Sequence, residues 1–419
     1  AIIHQELNMM KDLTVAQNIF IGREKLKGIY IDDREMEREA KKLLEYVGVD
    51  ISPKKRLGDL TVGKQQMVEI AKALSYNNTK LLILDEPSAV LTDTEIDDLF
   101  RFINRLKETG VGIIYISHRL EEILMLADRI TVLRDGEHIK TVTAKGVTQD
   151  ELVEMMVGRS LDNVYPKVEA EIGAPVFEVK NLTSKGVFED VSFKVHAGEI
   201  LGFSGLVGAG RSEIMNSIFG IDKLDYGEIY MEGKKLTIKT PKDAIDNGIA
   251  MVSEDRKIRG LVLCRSIKEN ISLPNLHRRQ KGLFINGHRE NNEVEGYSKA
   301  LETKCASINV ATGTLSGGNQ QKVVIAKWLM AEPKLLILDE PTRGIDVGAK
   351  YEIYKIMCDL AKQGIAIIMI SSELPEVIGM SDRIMVVSKG KITGEYMRED
   401  IVSRKVTQKN LLSNALEEV

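Results

Sequence analysis

The 419-residue sequence is poor in cysteine and contains no long apolar run, and each shortage excludes a class of protein. Its three cysteines, Cys264, Cys305 and Cys358, are odd in number and widely spaced, which suits neither a disulfide framework nor a zinc site. We therefore expect a reducing, cytoplasmic environment. No apolar run approaches the roughly 18 residues that a membrane-spanning helix requires. The chain is also too long for one ordinary core, so we expect two domains.

Aromatic residues and excess charge are also scarce. Phenylalanine, tryptophan and tyrosine make up 5% of the chain, and 58 basic against 62 acidic residues leave a net charge of −4. A nucleic-acid-binding surface needs a basic excess to neutralise phosphates. We therefore expect no nucleic-acid partner. The 43% hydrophobic and 29% charged residues are typical of a globular protein.

The most informative residues that are present lie in the stretch 315–345. A small polar turn, Ser316-Gly317-Gly318-Asn319, leads into a helical run, and an apolar strand at 335–338 then runs into Asp339 and Glu340. Backbone N–H groups at a helix start form an anion site, and glycines allow a phosphate to approach closely. A continuous apolar run suits a strand of a buried parallel sheet, and such sheets bind ligands at their carboxyl edge. One carboxylate there can hold Mg²⁺, and the other can polarise a water molecule.

The chain also contains a long internal repeat. Leu81–Pro87 recurs as Leu335–Pro341, and Asp128 recurs as Asp382, with the same offset in both cases (339 − 85 = 254 and 382 − 128 = 254). The turn Leu60–Gly63 corresponds to the polar turn described above. A repeat of this length predicts a duplicated domain rather than a solenoid.

The two copies differ in length. The second copy has an upstream region, from about 176 to 250, whereas the chain opens at Ala1–Gln5, which reads as the middle of a strand. We interpret the first domain as lacking its β-rich front and its phosphate loop. The predicted domains are residues 1–158 and 176–419, joined by a linker at 159–175.

A glycine-rich loop, Gly205 to Ser212, follows an apolar strand and precedes a helix, which is the context that a phosphate-binding loop requires. The position of the usual lysine holds Arg211, and a planar guanidinium is not equivalent to a compact ammonium group. We expect altered nucleotide binding, with Ser212 available to Mg²⁺; the alternative is a glycine-rich turn with no ligand. The residues expected to contact nucleotide are Gly205, Gly208, Ala209, Gly210, Arg211, Ser212 and Glu213.

These motifs together resemble a known family. The segment LSGGNQ, about twenty residues before LLILDEP, resembles the signature and Walker B motifs of ATP-binding-cassette (ABC) ATPases. In the second copy, GLVGAGR, LSGGNQQKV, DEPTRGIDVGAK and ISSELPE resemble the bacterial monosaccharide-importer ATPases of the ribose and galactoside type. The resemblance implies an α/β fold with tandem ABC-type P-loop NTPase domains. Each domain would have a mostly parallel sheet core, a β-rich subdomain and a helical subdomain.

The resemblance also assigns roles to individual residues. It implies that Glu86 polarises the attacking water, that His118 hydrogen-bonds the γ-phosphate, and that Gln5 contacts Mg²⁺ and this water. Glu340 is the corresponding catalytic residue of the second copy. The residues implied to bind Mg²⁺ are Gln5, Asp85, Ser212, Glu254 and Asp339. The signature residues implied to bind nucleotide are Thr61, Gly63, Ser316, Gly317, Gly318 and Asn319.

Apart from the missing phosphate loop of the first site, the departures from the family pattern fall in one of two sites. In the family, two domains pair head to tail, and each nucleotide lies between one domain's phosphate loop and the other domain's signature. The first site fits the family pattern at Gln5, Asp85, Glu86, His118, Ser316–Asn319 and Gly344–Asp346. The second site departs from it at Val62, Lys64, Thr92, Arg211, Glu254 and Ser372. We hypothesise an asymmetric ATPase, in which the first site hydrolyses ATP and the second binds nucleotide with slow or no turnover.

The resemblance implies ATP and Mg²⁺ as cofactors and a place on the cytoplasmic face of the cell membrane. The implied partners are two copies of a transmembrane permease and, indirectly, a sugar-binding subunit. Two alternatives remain open: a soluble twin-cassette ATPase acting on ribosomes or DNA, and a non-hydrolysing nucleotide-binding fragment. The short linker and the negative net charge favour the importer over the first alternative.

Overall fold

The computed structural model describes most of the chain. The described residues are 1–4, 8–76, 79–88, 91, 93–117, 119–134, 136–157, 165–168, 170–206, 208–281, 284–403 and 407–416. The chain divides into two compact units, Ala1–Leu161 (unit 1) and Asp162–Val419 (unit 2). Within the described ranges, no helix has both the length and the apolar character that crossing a membrane demands.

Unit 1 is built around a short parallel sheet. Its strands are β1 (Ile2–Ile3), β2 (Leu26–Lys27), β3 (Tyr30–Ile31), β4 (Leu81–Asp85), β5 (Gly112–Ile116), β6 (Arg129–Arg134) and β7 (Glu137–Thr143). Its helices are α1 (Val15–Phe20), α2 (Asp33–Val47), α3 (Val62–Leu74), α4 (Asp93–Glu108), α5 (Leu120–Leu126) and α6 (Gln149–Val157). Among the described residues the parallel sheet has the order β1–β4–β5, while β2–β3 and β6–β7 form antiparallel pairs.

Local sequence signals set the ends of α2. The Asp32 side chain accepts a hydrogen bond from the backbone N–H of Glu35, and Gly48 follows the helix in the left-handed conformation with φ of 93°. Aspartate at the N-cap and glycine just after the last turn satisfy backbone groups that the helix leaves open. The buried face of α2 then joins α3, α4, β1 and β4 in one apolar core.

Unit 2 contains a larger set of elements. Its strands are β8 (Pro175–Ser184), β9 (Phe188–His196), β10 (Ile200–Ser204), β11 (Tyr226–Met231), β12 (Lys234–Leu236), β13 (Ile249–Val252), β14 (Gln280–Lys281), β15 (Phe284–Ile285), β16 (Leu335–Asp339), β17 (Ala366–Ile370), β18 (Arg383–Ser388) and β19 (Lys391–Met397). Its helices are α7 (Arg211–Phe219), α8 (Pro241–Asp246), α9 (Ile267–Ser272), α10 (Gly287–Ala300), α11 (Gly317–Leu329), α12 (Val347–Lys362), α13 (Leu374–Met380), α14 (Arg398–Val402) and α15 (Gln408–Leu416). A π-helical turn spans Arg256–Gly260.

The central sheet of unit 2 has the order β13–β16–β17–β10–β18–β19. The first five strands are parallel and only β19 is antiparallel. Every residue of β10, β16 and β17 is buried, as expected for strands covered on both faces. A separate antiparallel sheet has the order β12–β11–β8–β9. The predicted fold class, a mostly parallel core with a β-rich subdomain, is confirmed.

The single tryptophan of the chain connects two helices of unit 2. Trp328, in α11, packs edge to face on Phe219, the last residue of α7, with ring centroids 5.6 Å apart. Edge-to-face pairs of this kind are favourable beyond the area that they bury. The helix that follows the glycine-rich loop is therefore fixed against the helix that follows the signature turn.

Candidate nucleotide-binding site

The backbone of the glycine-rich loop takes conformations that residues other than glycine rarely adopt. Strand β10 ends at Ser204, and Gly205 follows with φ of 150°. A Cβ atom on Gly205 would lie 2.3 Å from the carbonyl oxygen of Val387. Gly210 caps α7 with φ of 102°. The loop therefore delivers open N–H groups at the start of α7, where an anion is favoured.

Arg211, the first residue of α7, is buried and turned toward the sheet edge. Its Nη1 donates a hydrogen bond to the carbonyl oxygen of Ser371 at 2.8 Å, and its Nη2 lies 3.8 Å from a carboxylate oxygen of Glu340. Burial lowers the pKa of Arg211, and the nearby carboxylates, Glu340 first, oppose this shift. The guanidinium is thus engaged by the protein itself, which is an arrangement that a lysine could not reproduce.

Ser212 and Asp339 lie side by side at the carboxyl edge of the sheet. The Ser212 hydroxyl donates to a carboxylate oxygen of Asp339 at 3.2 Å. Burial raises the pKa of Asp339, while the hydrogen bond from Ser212 and the charge of Arg211 lower it; the charge of Glu213 adds to the rise. A hydroxyl and a carboxylate are the hard oxygen donors that Mg²⁺ prefers, and Mg²⁺ usually completes its shell with phosphates and water. The pair therefore fits the predicted ion.

The glutamate after each Asp adopts the same strained backbone in both units. Glu86 has φ of 47° and Glu340 has φ of 49°, in the left-handed region that costs a non-glycine residue about 1–3 kcal/mol. The Ser372 hydroxyl donates to Glu340 at 3.1 Å. Burial raises the pKa of Glu340 to about 7, against the opposing effects of Arg211 and Ser372. The pKa of this largely buried carboxyl group thus lies near neutral pH.

A polar cleft of about 620 Å³ opens beside Ser212 and Asp339. Its lining residues are Ser212, Asn216, Ser253, Glu254, Asp255, Arg256, Lys257, Ile258, Arg259, Asp339 and Arg343. Glu254, a predicted Mg²⁺ contact, forms an ion pair with Arg343. Arg256 donates to the carbonyl oxygens of Arg343 at 2.7 Å and Gly344 at 2.9 Å, so its planar fork ties the π-helical turn to the loop after Glu340. The lining carries four basic residues, Arg256, Lys257, Arg259 and Arg343, against three acidic ones, Glu254, Asp255 and Asp339.

The signature turns are helix caps in both units. Thr61 caps α3 and Ser316 caps α11, each through its hydroxyl oxygen. Gly63 and Gly318, at corresponding positions of the two turns, each face their own unit: a Cβ on Gly63 would lie 2.3 Å from the Glu95 carboxylate, and one on Gly318 would lie 2.5 Å from the Cβ of Ala349. Gly318 is therefore required for packing against Ala349, whereas at Gly63 the flexible end of the Glu95 side chain could move aside.

The structure brings together part of the predicted site. Arg211, Ser212, Asp339, Glu340 and Ser372 meet at one sheet edge. Asp85 ends β4 and Glu86 follows it in the corresponding place of unit 1. Gln5, Thr92, His118 and the loop residue Val207 lie outside the described residues.

Sequence reasoning missed two groups of buried or half-buried side chains near these carboxylates. They are Ser88, Tyr115, Ser117 and Glu122 in unit 1, and Thr342, Ser371 and Glu376 in unit 2. Ser88 and Thr342, Ser117 and Ser371, and Glu122 and Glu376 all keep the repeat offset (376 − 122 = 254). That offset is the signal that could have found them.

Comparison with known proteins decides the family. The family model described as "ABC transporter" matches residues 1–89 and 188–343, one segment in each unit. The chain belongs to the ABC transporter family. The resemblance drawn from the motifs is therefore confirmed, and the two matched segments agree with the internal repeat.

Relatives in the ABC transporter family match nearly the whole chain. The chain is 51% identical to the ribose import ATP-binding protein RbsA of Oceanobacillus iheyensis over 407 residues, covering 97% of this chain and 82% of the relative. It is 50% identical to RbsA of Bacillus subtilis, covering 99% and 83%. It is 48% identical to the putative ribose/galactose/methyl galactoside import ATP-binding protein 1 of Rhizobium etli, covering 98% and 79%.

Solved structures support the ABC fold. An ABC transporter ATP-binding cassette, MJ1267, matches in its ADP conformation with a TM-score of 0.50 and 24% identity, covering 58% of this chain and 100% of that chain. A second structure of the same cassette matches with a TM-score of 0.51 and 23% identity, with the same coverage. At this identity the likeness establishes the fold alone.

Proposed function

We propose that this chain is the ATP-binding and ATP-hydrolysing subunit of an importer that moves a monosaccharide through a partner permease. One observation carries the proposal: the phosphate loop, the Ser212–Asp339 pair and Glu340 meet at the carboxyl edge of one parallel sheet. Parallel sheets bind ligands at this edge, and phosphoryl transfer depends on charges positioned there. Family membership and the import proteins among its relatives support the same function.

In unit 2, different residues would bind the phosphates, hold Mg²⁺ and orient the attacking water. The loop and the start of α7 offer N–H groups to phosphate oxygens. Ser212 and Asp339 would hold Mg²⁺, which supplies charge neutralisation to the phosphates when it is bound. Glu340 would orient the attacking water, with its carboxylate held by the Ser372 hydroxyl.

We propose further that unit 1 carries the hydrolysing carboxylate, Glu86, and that unit 2 binds nucleotide with little or no turnover. In unit 2, Arg211 is engaged by Ser371 and Glu340 rather than held free for a phosphate. Ser372 stands where unit 1 has His118, and a hydroxyl offers no positive charge to a developing phosphate charge. Both features support weak catalysis in unit 2.

Matched substitutions of the two glutamates test this assignment. Glu86→Gln should lower MgATP turnover by the full-length protein by about 100-fold or more, because it removes the group that polarises water. Glu340→Gln should retain most of the turnover. Both variants should still bind ATP, which separates chemistry from binding. Loss of turnover in Glu340→Gln with normal turnover in Glu86→Gln would overturn the assignment.

Exposed apolar side chains on two hairpins support a protein partner. Ile29, between β2 and β3, is 87% exposed, and Phe284, on β15, is 77% exposed. Clusters of exposed apolar side chains mark interaction surfaces more often than single exposed apolar side chains do. Leu26, Tyr30 and Ile31, which lie near Ile29 in the sequence, are exposed as well. We assign these hairpins to the surface that contacts the permease.

Co-purification distinguishes this partner from the alternative class. The chain should co-purify with its detergent-solubilised permease, and Ile29→Ser and Phe284→Ser should weaken the complex without lowering the thermal midpoint. Co-sedimentation with ribosomes instead would favour a soluble twin-cassette ATPase. The cargo is tested by uptake of labelled ribose and galactose in cells that lack the gene, because the relatives are named for these sugars.

A further inference from the structure

A buried glutamate occupies the same place in both units. Glu122 lies in α5 and Glu376 in α13, separated by the repeat offset. The Glu122 residue is 4% exposed and Glu376 is fully buried. A carboxyl group loses strong hydration when it is buried, and it is tolerated only with hydrogen bonds or an ion pair. Its presence in both copies points to a role that an apolar side chain could not fill.

In unit 2, Glu376 joins two turns at the sheet edge. Thr342 Oγ1 donates to one of its carboxylate oxygens at 2.8 Å, and Ser371 Oγ donates to the other. Thr342 follows Glu340 by two residues, and Ser371 directly precedes Ser372. Since the Ser372 hydroxyl donates to Glu340, these contacts close a ring around the Glu340 carboxylate.

Unit 1 builds the same connection with its own residues. Ser88 Oγ donates to Glu122 at 2.7 Å, and Ser117 Oγ donates to it at 3.1 Å. Ser88 follows Glu86 by two residues, and Ser117 directly precedes the predicted γ-phosphate contact. The Tyr115 hydroxyl adds a third hydrogen bond at 2.8 Å. The connection is therefore a repeated feature rather than a local accident.

This connection accounts for how the strained glutamates are held. The backbone N–H of Glu86 and that of Glu340 each donate to the last residue of the neighbouring strand at 2.9 Å. A left-handed backbone at a non-glycine residue persists only where the surroundings over-determine it. The backbone hydrogen bond is one restraint. The buried carboxylate of Glu122 or Glu376 supplies a second, because it holds the turn that follows the strained glutamate.

We propose that Glu122 and Glu376 are positioning residues for ATP hydrolysis, each holding the turn after the Walker B glutamate in register with the turn that faces the γ-phosphate. The proposal rests on the ATPase function proposed above. Because both side chains are buried, they act through Glu86 and Glu340 and not on the nucleotide itself.

The two units differ in whether a basic side chain pairs with the buried carboxylate. In unit 1, Arg119 lies 3.0 Å from Glu122. Unit 2 has Glu373 at the position of Arg119, and Glu373 pairs instead with Lys350 at 2.5 Å. Replacing Glu122 by glutamine therefore leaves a cation without its partner, whereas glutamine at position 376 keeps the shape and most of the hydrogen bonding. The two positions should respond differently to the same substitution.

Nucleotide binding to unit 2 gives the first test. A group that polarises the attacking water must lie near the terminal phosphate, so disturbing Glu340 should affect ATP more than ADP. We expect Glu376→Ala to weaken ATP binding about tenfold with little change for ADP, since small misplacements at a reacting centre are costly. Glu376→Gln should recover most of the ATP affinity. Equal losses for ATP and ADP, or no loss for either, would overturn the role of Glu376.

Turnover gives the second test. In the full-length protein, Glu122→Gln and Glu122→Ala should each lower kcat by about tenfold to 100-fold while KM stays within threefold, because the substitution misplaces Glu86 without touching the nucleotide. Arg119→Gln combined with Glu122→Gln should recover part of the loss. A kcat that is unchanged, or a rise in KM that matches the loss in kcat, would overturn the role of Glu122.

Single hydrogen-bond deletions keep the proposal testable if the alanine variants fail to fold. Thr342→Val should weaken ATP binding to unit 2 in the same direction as Glu376→Ala, and Ser88→Ala should lower kcat in the same direction as Glu122→Ala. Wild-type protein that hydrolyses no ATP would count against the proposed function, and the comparison of ATP with ADP would still decide the positioning role. Normal behaviour of both single-bond variants would overturn it.

Discussion

The Arg211 guanidinium donates a hydrogen bond of 2.8 Å to the carbonyl oxygen of Ser371, across 160 residues of sequence. The bond spans from the start of the helix after the glycine-rich loop to the end of β17. This hydrogen bond holds the guanidinium, the one cationic group of the loop, at the end of the strand. A phosphate bound in the loop would compete with the Ser371 carbonyl oxygen for that guanidinium. Whether this position holds arginine or lysine should therefore affect how tightly the loop binds a nucleotide.

Arg211→Lys should tighten nucleotide binding to unit 2 by about tenfold. A lysine cannot keep both the hydrogen bond to Ser371 and the approach to Glu340. Fewer contacts within the protein are therefore lost when the side chain turns to a phosphate. A hydrogen bond to a charged group is worth about 1.5–3 kcal/mol. Calorimetric titration with MgATP measures the change. Arg211→Ala is the matched control and should lose affinity; a lysine variant that binds as weakly as the alanine variant would contradict the argument.

Arg256→Lys should destabilise unit 2 by about 1–3 kcal/mol, because a single ammonium group cannot satisfy the carbonyl oxygens of both Arg343 and Gly344 in the planar geometry of the fork. Urea unfolding followed by circular dichroism measures the loss. The control is Arg289→Lys, in an exposed pair with Glu293, where we expect less than about 0.5 kcal/mol. Equal effects at the two positions would show that the fork is not a stabilising contact.

Gly318→Ala should destabilise unit 2 by about 1–3 kcal/mol, since the new methyl group would lie 2.5 Å from the Cβ of Ala349. The control is Gly296→Ala in α10, where no atom lies within 4 Å of the added Cβ and alanine should stabilise the helix by about 0.5–1 kcal/mol. Adding Ala349→Gly to Gly318→Ala should restore stability. Failure of that double variant to recover would place the conflict elsewhere.

Glu376→Gln should change how stability depends on pH. Burial raises the pKa of Glu376 above its ordinary value, against the hydrogen bonds from Ser371 and Thr342. Because the folded pKa is raised, the group's contribution to stability is complete below the ordinary carboxyl pKa of about 4.3 and is lost as the pH rises through the raised value. The variant should therefore lose less stability than the wild type between acidic and neutral pH, as followed by urea unfolding at several pH values. A steeper decline in the variant would reverse the sign of the argument.

Local signals in the sequence were enough to predict the framework of the site. The strand and helix that flank the glycine-rich loop, and the apolar strand before Asp339, each depend on a few consecutive residues. The parallel sheet then brings Ser212 and Asp339 together because the carboxyl ends of parallel strands share an edge. The predicted roles of Gln5 and His118 stay predictions.

Contacts between distant residues could not be predicted in the same way. The direction of Arg211 depends on its burial against Ser371, and Glu254, predicted as a Mg²⁺ contact, pairs with Arg343 from a loop that no local pattern connects to it. The glycine at position 318 suggested only a phosphate contact, whereas its neighbour Ala349 lies on another helix. Such pairs are selected by packing, which a single sequence does not display.

The edge-to-face contact between Trp328 and Phe219 gives the molecule an internal optical reporter. Since Trp328 is the only tryptophan of the chain, all of its indole fluorescence arises in unit 2. The indole packs on Phe219 at the far end of the helix that begins at the glycine-rich loop, so a shift of that helix should change the emission. We therefore expect nucleotide binding to the glycine-rich loop to be visible in the tryptophan emission of the intact, unlabelled protein.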